Sequence, residues 1–498
     1  MLEHLPAAFQ SFSPFTLMVM LCATFGGLVV GAIPGLTSTM AVAMLVPITF
    51  GMSMEFSLQL LLAVYVGAIS GGLVSATLLN IPGTPASVTT TFDAYPMAVA
   101  GQAGRALGFG VAASFVGTVI GIAILAFAAP LLGRIALTFN AYEYAALVIF
   151  TLTCLIALSG KSLTKGILSA CLGILMALVG LSETDNIARF TFGFGRLDAG
   201  LNLLPVLIGI YAVSQILDDM ANIRAPFKIT KANFTMSDFI QVVKEMNASV
   251  WNLIRSSLIG VGIGILPGIG PNVASIMAYS KAKEAADNPE SFGTGNPDGI
   301  IASEAGNNAC IGGAQVPLLT LGIPGDATTA MLLGAFMIHG VQPGPLLLRD
   351  QPGIFLVILI ALLISSALML LLQMFCIRAL IKSLLIPRYI LYPLILGMCV
   401  LGCFALNSNM FDVWVFLFTG ILGYILQRMD FPMLPLILGL ILGQMCERNI
   451  SAAWLMSGHS FWGIFDRPIA MLFLAAAILS VIFALRSRKK QMQRMQTA

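Results

Sequence analysis

From Gly31 to Leu45 the chain reads GAIPGLTSTMAVAML. Apolar residues flank a Pro-Gly pair that is followed at once by Thr37, Ser38 and Thr39. Proline removes a backbone donor and clashes with the preceding turn, and glycine loosens what is left. The stretch therefore predicts a helix that stops at Pro34 and a second that starts beyond Gly35, with hydroxyls lining the gap. The surroundings say where such a break sits. Of 498 residues, 58% are hydrophobic and 9% charged, against about 25% charged in soluble domains. Apolar runs such as Phe15 to Ile33, Ala106 to Ala128 and Ile354 to Phe375 approach the roughly 20 residues that cross a bilayer as a helix. The fold class this predicts is an all-α polytopic membrane protein of about 12 transmembrane segments.

Other classes are excluded on composition. A net charge of +3 is too small for a nucleic-acid partner. The cysteines lie in apolar segments without CxxC spacing and read as small buried hydrophobes. His4, His339 and His459 have no partner at ligand spacing. The N-terminus lacks a basic region and a small-residue cleavage site, so no removable leader is expected. An intramembrane enzyme would need an HExxH, a GxSxG or a paired-acid motif, and none is found. No catalytic residue is assigned.

The break has a twin. GILPGIGPNVASIM, from Gly264 to Met277, repeats Gly31, Pro34, Gly35, Ala41 and Met44 at an offset of 233 residues. NIPGTPAS, from Asn80 to Ser87, matches GIPGDATT, from Gly322 to Thr329, at an offset of 242. LLPVLIGI from Leu203 matches MLPLILGL from Met433. Three matches in one order indicate an internal duplication, with the polar insert KAKEAADNPESFGTGNPDG supplying the extra residues of the second half. The expected organisation is a first repeat over 1–217, a cytoplasmic linker over 218–250 rich in Lys and Arg, a second repeat over 251–448, and an extra helix with a basic tail over 449–498. The loop with Lys161 and Lys165 has a counterpart, Asn407 to Asp412, without a basic residue. The loop at Arg134 faces a counterpart with Arg378, Lys382 and Arg388. A positive bias that flips between matching loops predicts two inverted-topology repeats with broken helices.

Paired interruptions in two halves point to a transport site, because half-helix ends meet near the bilayer midplane. A helix N-terminus presents free N–H groups and a positive dipole end, which suits an anion. Free carbonyls and hydroxyl oxygens suit a cation. The candidate substrate and ion contacts are Pro34, Gly35, Thr37, Ser38 and Thr39 in the first break, with Pro267, Gly268, Gly270 and Asn272 as their equivalents. Gly83, Thr84, Ser87 and Thr89 mirror Gly325, Asp326, Thr328 and Thr329. Asp326 is the one carboxylate in the breaks and reads first as a helix N-cap, alternatively as a ligand, with Asn272, of a sodium ion. Asn307 and Asn308, beside Glu304, are either a packing network or a further ion contact. Asp93 and Arg105 are explained by a membrane boundary.

At these residues the chain resembles a known family. GAIPGLTSTMAVAMLVPITFGM, NIPGTPASVTTTFDAYPMA, GILPGIGPNVASIMAYSKAK and GIPGDATTAMLLGAFMIHGVQPGP look like the hallmark stretches of the TctA family, the large membrane subunits of bacterial tripartite tricarboxylate transporters. The resemblance runs over nearly the whole chain. It implies ion-driven import of a citrate-like di- or tricarboxylate across the inner membrane, with sodium the expected coupling ion. It also implies two protein partners, a small membrane subunit and a periplasmic solute-binding protein. The rival readings are an ion channel and a transporter of another small anion.

Overall fold

The computed structural model describes residues 2–158, 162–182, 185–221, 236–458, 460 and 462–497. Among the described residues the chain is helical apart from short turns and one antiparallel pairing of Gly180–Leu181 with Ala188–Arg189. Eight helices are long and apolar enough to cross a membrane, and five shorter apolar helices accompany them. The all-α polytopic membrane fold holds.

Two compact units form, and each draws on both halves of the sequence. One comprises Met1–Arg134 with Gln215–Ser408, the other Ile135–Ser214 with Asn409–Ala498. The boundaries at 217 and 250 follow the sequence repeat, whereas the compact units cut across it.

In the first unit, eight helices carry the breaks: α1 (Pro14–Ala32), α2 (Ser38–Leu45), α3 (Met54–Leu79), α4 (Val88–Met97), α5 (Val250–Ile265), α6 (Gly270–Glu284), α7 (Pro297–Leu321) and α8 (Ala327–Ile338). Local chemistry sets their ends. Ser13 caps α1 by accepting the Thr16 N–H at 3.1 Å, and Pro14 occupies the first position, where no donor is needed. Gly35 and Gly268 both turn the chain with positive φ, 98° and 75°, a region costly to residues with a Cβ. Thr37 then caps α2. The long helices α3 and α7 both end on a left-handed residue, Asn80 and Gly322.

Packing repeats with the sequence. Gly27 and Gly31 of α1 bring it against α3, and Gly260 and Gly264 of α5 bring it against α7. A Cβ on any of the four would fall within 3 Å of the partner helix backbone. This is the small-xxx-small contact by which apolar helices associate when lipid offers no hydrophobic drive.

In the second unit, Leu163–Ala177 lies against Met433–Met456 through Gly173 and Gly439. Arg189 pins the strand pair to that helix with two bonds of 2.8 Å to Glu447. The LLPVLIGI and MLPLILGL segments differ in detail. The first runs into a π-turn over Gly209–Val213, the second continues as regular helix.

Three expectations need correction or limits. The stretch 218–250 carries helices of its own: Ser214–Ala221 and Met236–Met246 are helical, and α5 starts at Val250. Residues 222–235, with Arg224, Pro226, Lys228 and Lys231, lie outside the described residues, as do Lys161 and His459. Asp93 has partners that the sequence did not reveal. It is fully buried, and its Oδ1 accepts N–H groups from Gly293, Gly295 and Asn296 at 2.8–3.0 Å while Tyr279 donates to Oδ2 at 2.9 Å. The insert folds around it.

Candidate functional site

The four breaks close into a ring. In the first half, Gly83 packs onto the first break so tightly that a Cβ would sit 2.2 Å from the Gly31 carbonyl oxygen. In the second half, Gly325 does the same at 2.5 Å from the Gly264 oxygen, and the Gly268 N–H bonds to the Gly325 oxygen at 2.8 Å. Two links then cross between halves. The hydroxyls of Ser38 and Thr39 at the start of α2 lie 2.9 and 3.1 Å from that of Thr328 at the start of α8. Thr89 at the start of α4 is hydrogen-bonded to Ser275 of α6. Each residue of these links is buried.

Two helix starts in this ring are built in part alike. Asp326 caps α8, its Oδ1 accepting the Thr329 N–H at 2.7 Å, while Thr329 Oγ1 receives the Asp326 N–H at 2.8 Å. At the equivalent pair in the first half, Ser87 Oγ receives the Thr84 N–H at 3.4 Å and donates to the Thr84 carbonyl at 2.9 Å. The first is a reciprocal capping arrangement, whereas in the second only the Ser87 side chain engages and Thr84 Oγ1 has no hydrogen-bond partner among the described residues. The N-cap reading of Asp326 is therefore correct, and its second oxygen is also engaged, by the Tyr65 hydroxyl at 3.2 Å.

Pro34, Gly35, Pro267 and Gly268 form the turns, and Gly270 begins α6 with φ 73°. A Cβ on Gly270 would lie 3.1 Å from that of Asp326, which brings the start of α6 beside the α8 cap. Asn272, by contrast, is exposed and takes no part in these hydrogen bonds. Sequence register paired it with Thr39, but the two helices present different faces there. Asn307 and Asn308 sit fully buried on α7 with Glu304, and the bonds of Asn308 run to Ser70, Ser114 and Glu304 rather than to the break residues.

Three residues at the ring were missed. Tyr65 reaches Asp326 from the middle of α3. Ser275 receives the α4 link. Asp219, assigned to the linker, is buried and packs on the first break: a Cβ on Gly35 would meet its Oδ2 at 2.6 Å. Tyr392 donates to the same oxygen at 3.1 Å. The adjacent acids Asp218 and Asp219, directly after an apolar segment, were the available signal.

Such a ring offers four helix starts, neutral hydroxyl donors and two carboxylates at its edge, with no Lys or Arg in any of the four breaks. N–H groups and hydroxyls so placed can donate to the oxygens of an anion.

Residues 17–438 match the family model described as the tripartite tricarboxylate transporter TctA family. An uncharacterised 52.8 kDa protein of the TAR-I ttuC' 3' region of Agrobacterium vitis is 36% identical over 463 residues, 92% of this chain and 91% of the relative. An uncharacterised protein of the TAR-II ttuC' 3' region of the same organism is 36% identical over 233 residues, 46% of this chain and 96% of that one. No solved structure matches.

Proposed function

This chain belongs to the tripartite tricarboxylate transporter TctA family, a family of multi-pass membrane transporter subunits, and on that premise we propose that its ring of helix breaks is the binding site for an imported di- or tricarboxylate. The closed ring carries the reading, above all the two hydroxyl links that join helix starts of one half to helices of the other. A kink needed only for packing does not require oxygens on both sides of the contact. A carboxylate entering the ring exchanges those hydroxyl–hydroxyl bonds for hydroxyl–carboxylate bonds, which are stronger because the acceptor is charged. The N-terminal ends of helices α2, α4, α6 and α8 add the favourable dipole.

Net transfer of an anion against the membrane potential needs a co-transported cation. Sodium is the first to test, with Asp326 and Asp219 the carboxylates that flank the ring. A small membrane subunit and a periplasmic solute-binding protein complete the assembly, the latter delivering substrate to the periplasmic face of the inner membrane. Citrate heads the substrate panel.

The test is uptake of labelled di- and tricarboxylates into vesicles holding the chain with and without its two partners, in sodium and in choline medium. Saturable, sodium-dependent accumulation that falls sharply without the binding protein is expected. A linear, unsaturable flux independent of a gradient would make the protein a channel and overturn the reading.

A further inference from the structure

Glu304 lies mid-way along α7 with no exposed surface, apart from the break residues. Its Oε1 accepts the Thr90 hydroxyl at 2.6 Å, and its Oε2 accepts the Ser114 hydroxyl at 3.0 Å and the Asn308 amide at 3.3 Å. Asn308 also donates to Ser114 Oγ at 2.9 Å and accepts from Ser70 at 2.6 Å. All these partners are neutral. Among the described residues no Lys, Arg or His bonds to Glu304 and no ion pair includes it. The charged groups on the surrounding helices are engaged elsewhere: Asp93 with the insert and Tyr279, Arg105 with Glu245, and Arg255 with Asn252. A carboxylate so far from water and from any counter-charge costs several kcal/mol when ionised, unless a cation accompanies it.

Asn307 supplies a second, independent sign. It is fully buried one turn along the same helix; its amide nitrogen is turned to the Glu304 carboxylate, and its amide oxygen has no hydrogen-bond donor among the described residues. Leaving such a group unsatisfied costs about 1–3 kcal/mol, so a buried amide oxygen without a donor calls for another partner.

Comparison with the mirrored position removes the packing explanation. At the offset of 242 residues, Glu304, Asn308 and Thr90 correspond to Leu62, Val66 and Leu332, all fully buried. Around them the mirrored helices pack with aliphatic side chains, and Tyr65, at the register of Asn307, turns its hydroxyl to Asp326 instead. Helix packing therefore does not demand the polar set.

We propose that Glu304, with Thr90, Ser114 and Asn307, is a sodium-binding site distinct from the ring. The donor set is oxygen-only and hard, which excludes soft-ligand metals. It carries a single negative charge, so a monovalent ion leaves it neutral where a divalent ion would not. Its link to transport, which rests on the substrate reading above, runs through α4. Thr89 holds Ser275 at the ring while the next residue, Thr90, holds Glu304. Sodium at Glu304 fixes α4 from one side as substrate engages it from the other, and the two bindings favour each other reciprocally.

The test is the thermal stability of the full-length chain in detergent, without any carboxylate, as sodium chloride replaces choline chloride at constant ionic strength. A specific ligand stabilises the folded state by mass action. The expected result is a rise in Tm of several degrees in the wild type, absent in Glu304→Gln and reduced in Ser114→Ala, but intact in Ser365→Ala. No sodium-specific rise in the wild type overturns the proposal, as does a full rise in a folded Glu304→Gln. Should Glu304→Gln not fold, the milder Ser114→Ala and Thr90→Val decide, and an unchanged rise in both overturns it. Stabilisation by acid with no response to sodium assigns the carboxylate to a proton and also overturns it. Because no substrate is present, failure of the ring as a carboxylate site leaves this outcome untouched, and the converse holds.

Discussion

The two halves of the first unit share a skeleton and differ in chemistry. Gly31 with Gly83 and Gly264 with Gly325 make the same close approach, and Ser87 and Thr329 each take the N–H of the residue three before them, Thr84 and Asp326. Along the paired long helices the correspondence stops. At Tyr65 α3 sends a phenol to Asp326, while at the matching Asn307 α7 carries an unsatisfied amide, beside a buried Glu304 that faces the register of Leu62. Backbone geometry is what the duplication preserved, because a missing Cβ cannot be replaced by anything else at contacts this close. Side chains lining the helices were free to diverge, and the second half took the acids and amides. The difference teaches that the ring's two sides need not do the same work: hydroxyls of both halves suit the anion, and carboxylates gathered by α7 and α8 suit the cation.

The largest effect that tests this pairing is all-or-none. If the halves are inverted copies, cysteines placed at Ser162 and Ser408 in a chain cleared of native cysteines react from opposite faces of the membrane. Labelling from the same face breaks the inverted-repeat assignment, whatever the similarity of the breaks.

Next come the close approaches. Gly83→Val and Gly325→Val each force a branched side chain into a backbone oxygen. Overpacking of this kind costs about 1–3 kcal/mol for a methylene or two and more against rigid backbone. Both variants should lose most folded protein, read as yield of monodisperse material and Tm. A well-folded Gly83→Val beside a collapsed Gly325→Val would show that the shared skeleton is held by one half only.

A third effect is confined to the second half's insert. Asp93→Asn keeps the shape of the side chain but removes the charge that three N–H groups and the Tyr279 hydroxyl share. Hydrogen bonds to a charged acceptor contribute about 1.5–3 kcal/mol each, non-additively. The expected outcome is faster proteolysis within 285–296 and a Tm lower by a few degrees. An unchanged digestion pattern would mean that the insert holds its fold without this anchor.

How much of this was legible in the chain follows from where each signal lives. Pro34-Gly35 and Pro267-Gly268 announced the breaks because proline and glycine act on their own backbone. The hydroxyls at Ser38, Thr39, Thr89 and Thr328 followed by position beyond the glycine. Tyr65 was hidden, since it reaches a break from a helix far away in sequence and nothing local marks it, and Asp219 was marked only by standing beside Asp218 after an apolar segment. The burial of Asp93 was not legible because an acid near a segment end is usually solvated, and only the insert wrapping around it buries it. Asn272 was over-read: alignment with Thr39 fixes register along the helix but not which face turns inward.

The smallest effect is the most direct test of the ring as a carboxylate site. Thr39→Val removes a hydroxyl and keeps the branched shape. In the substrate-free protein Thr328 retains its contact with Ser38 at 2.9 Å, so the fold loses at most one hydrogen bond of about 0.5–1.5 kcal/mol. With substrate bound, the same hydroxyl donates to a carboxylate oxygen, a charged acceptor for which about 1.5–3 kcal/mol is typical. The difference falls on affinity. The concentration giving half-maximal uptake should rise about tenfold or more, with Tm nearly unchanged and sodium dependence preserved. Asp326→Asn should show the opposite pattern, because asparagine caps a helix as well as aspartate does while the charge beside the ring is gone. There sodium dependence should shift more than carboxylate affinity. Uptake measured across substrate and sodium titrations separates the two, and wild-type kinetics in both variants would return the breaks to the role of packing kinks.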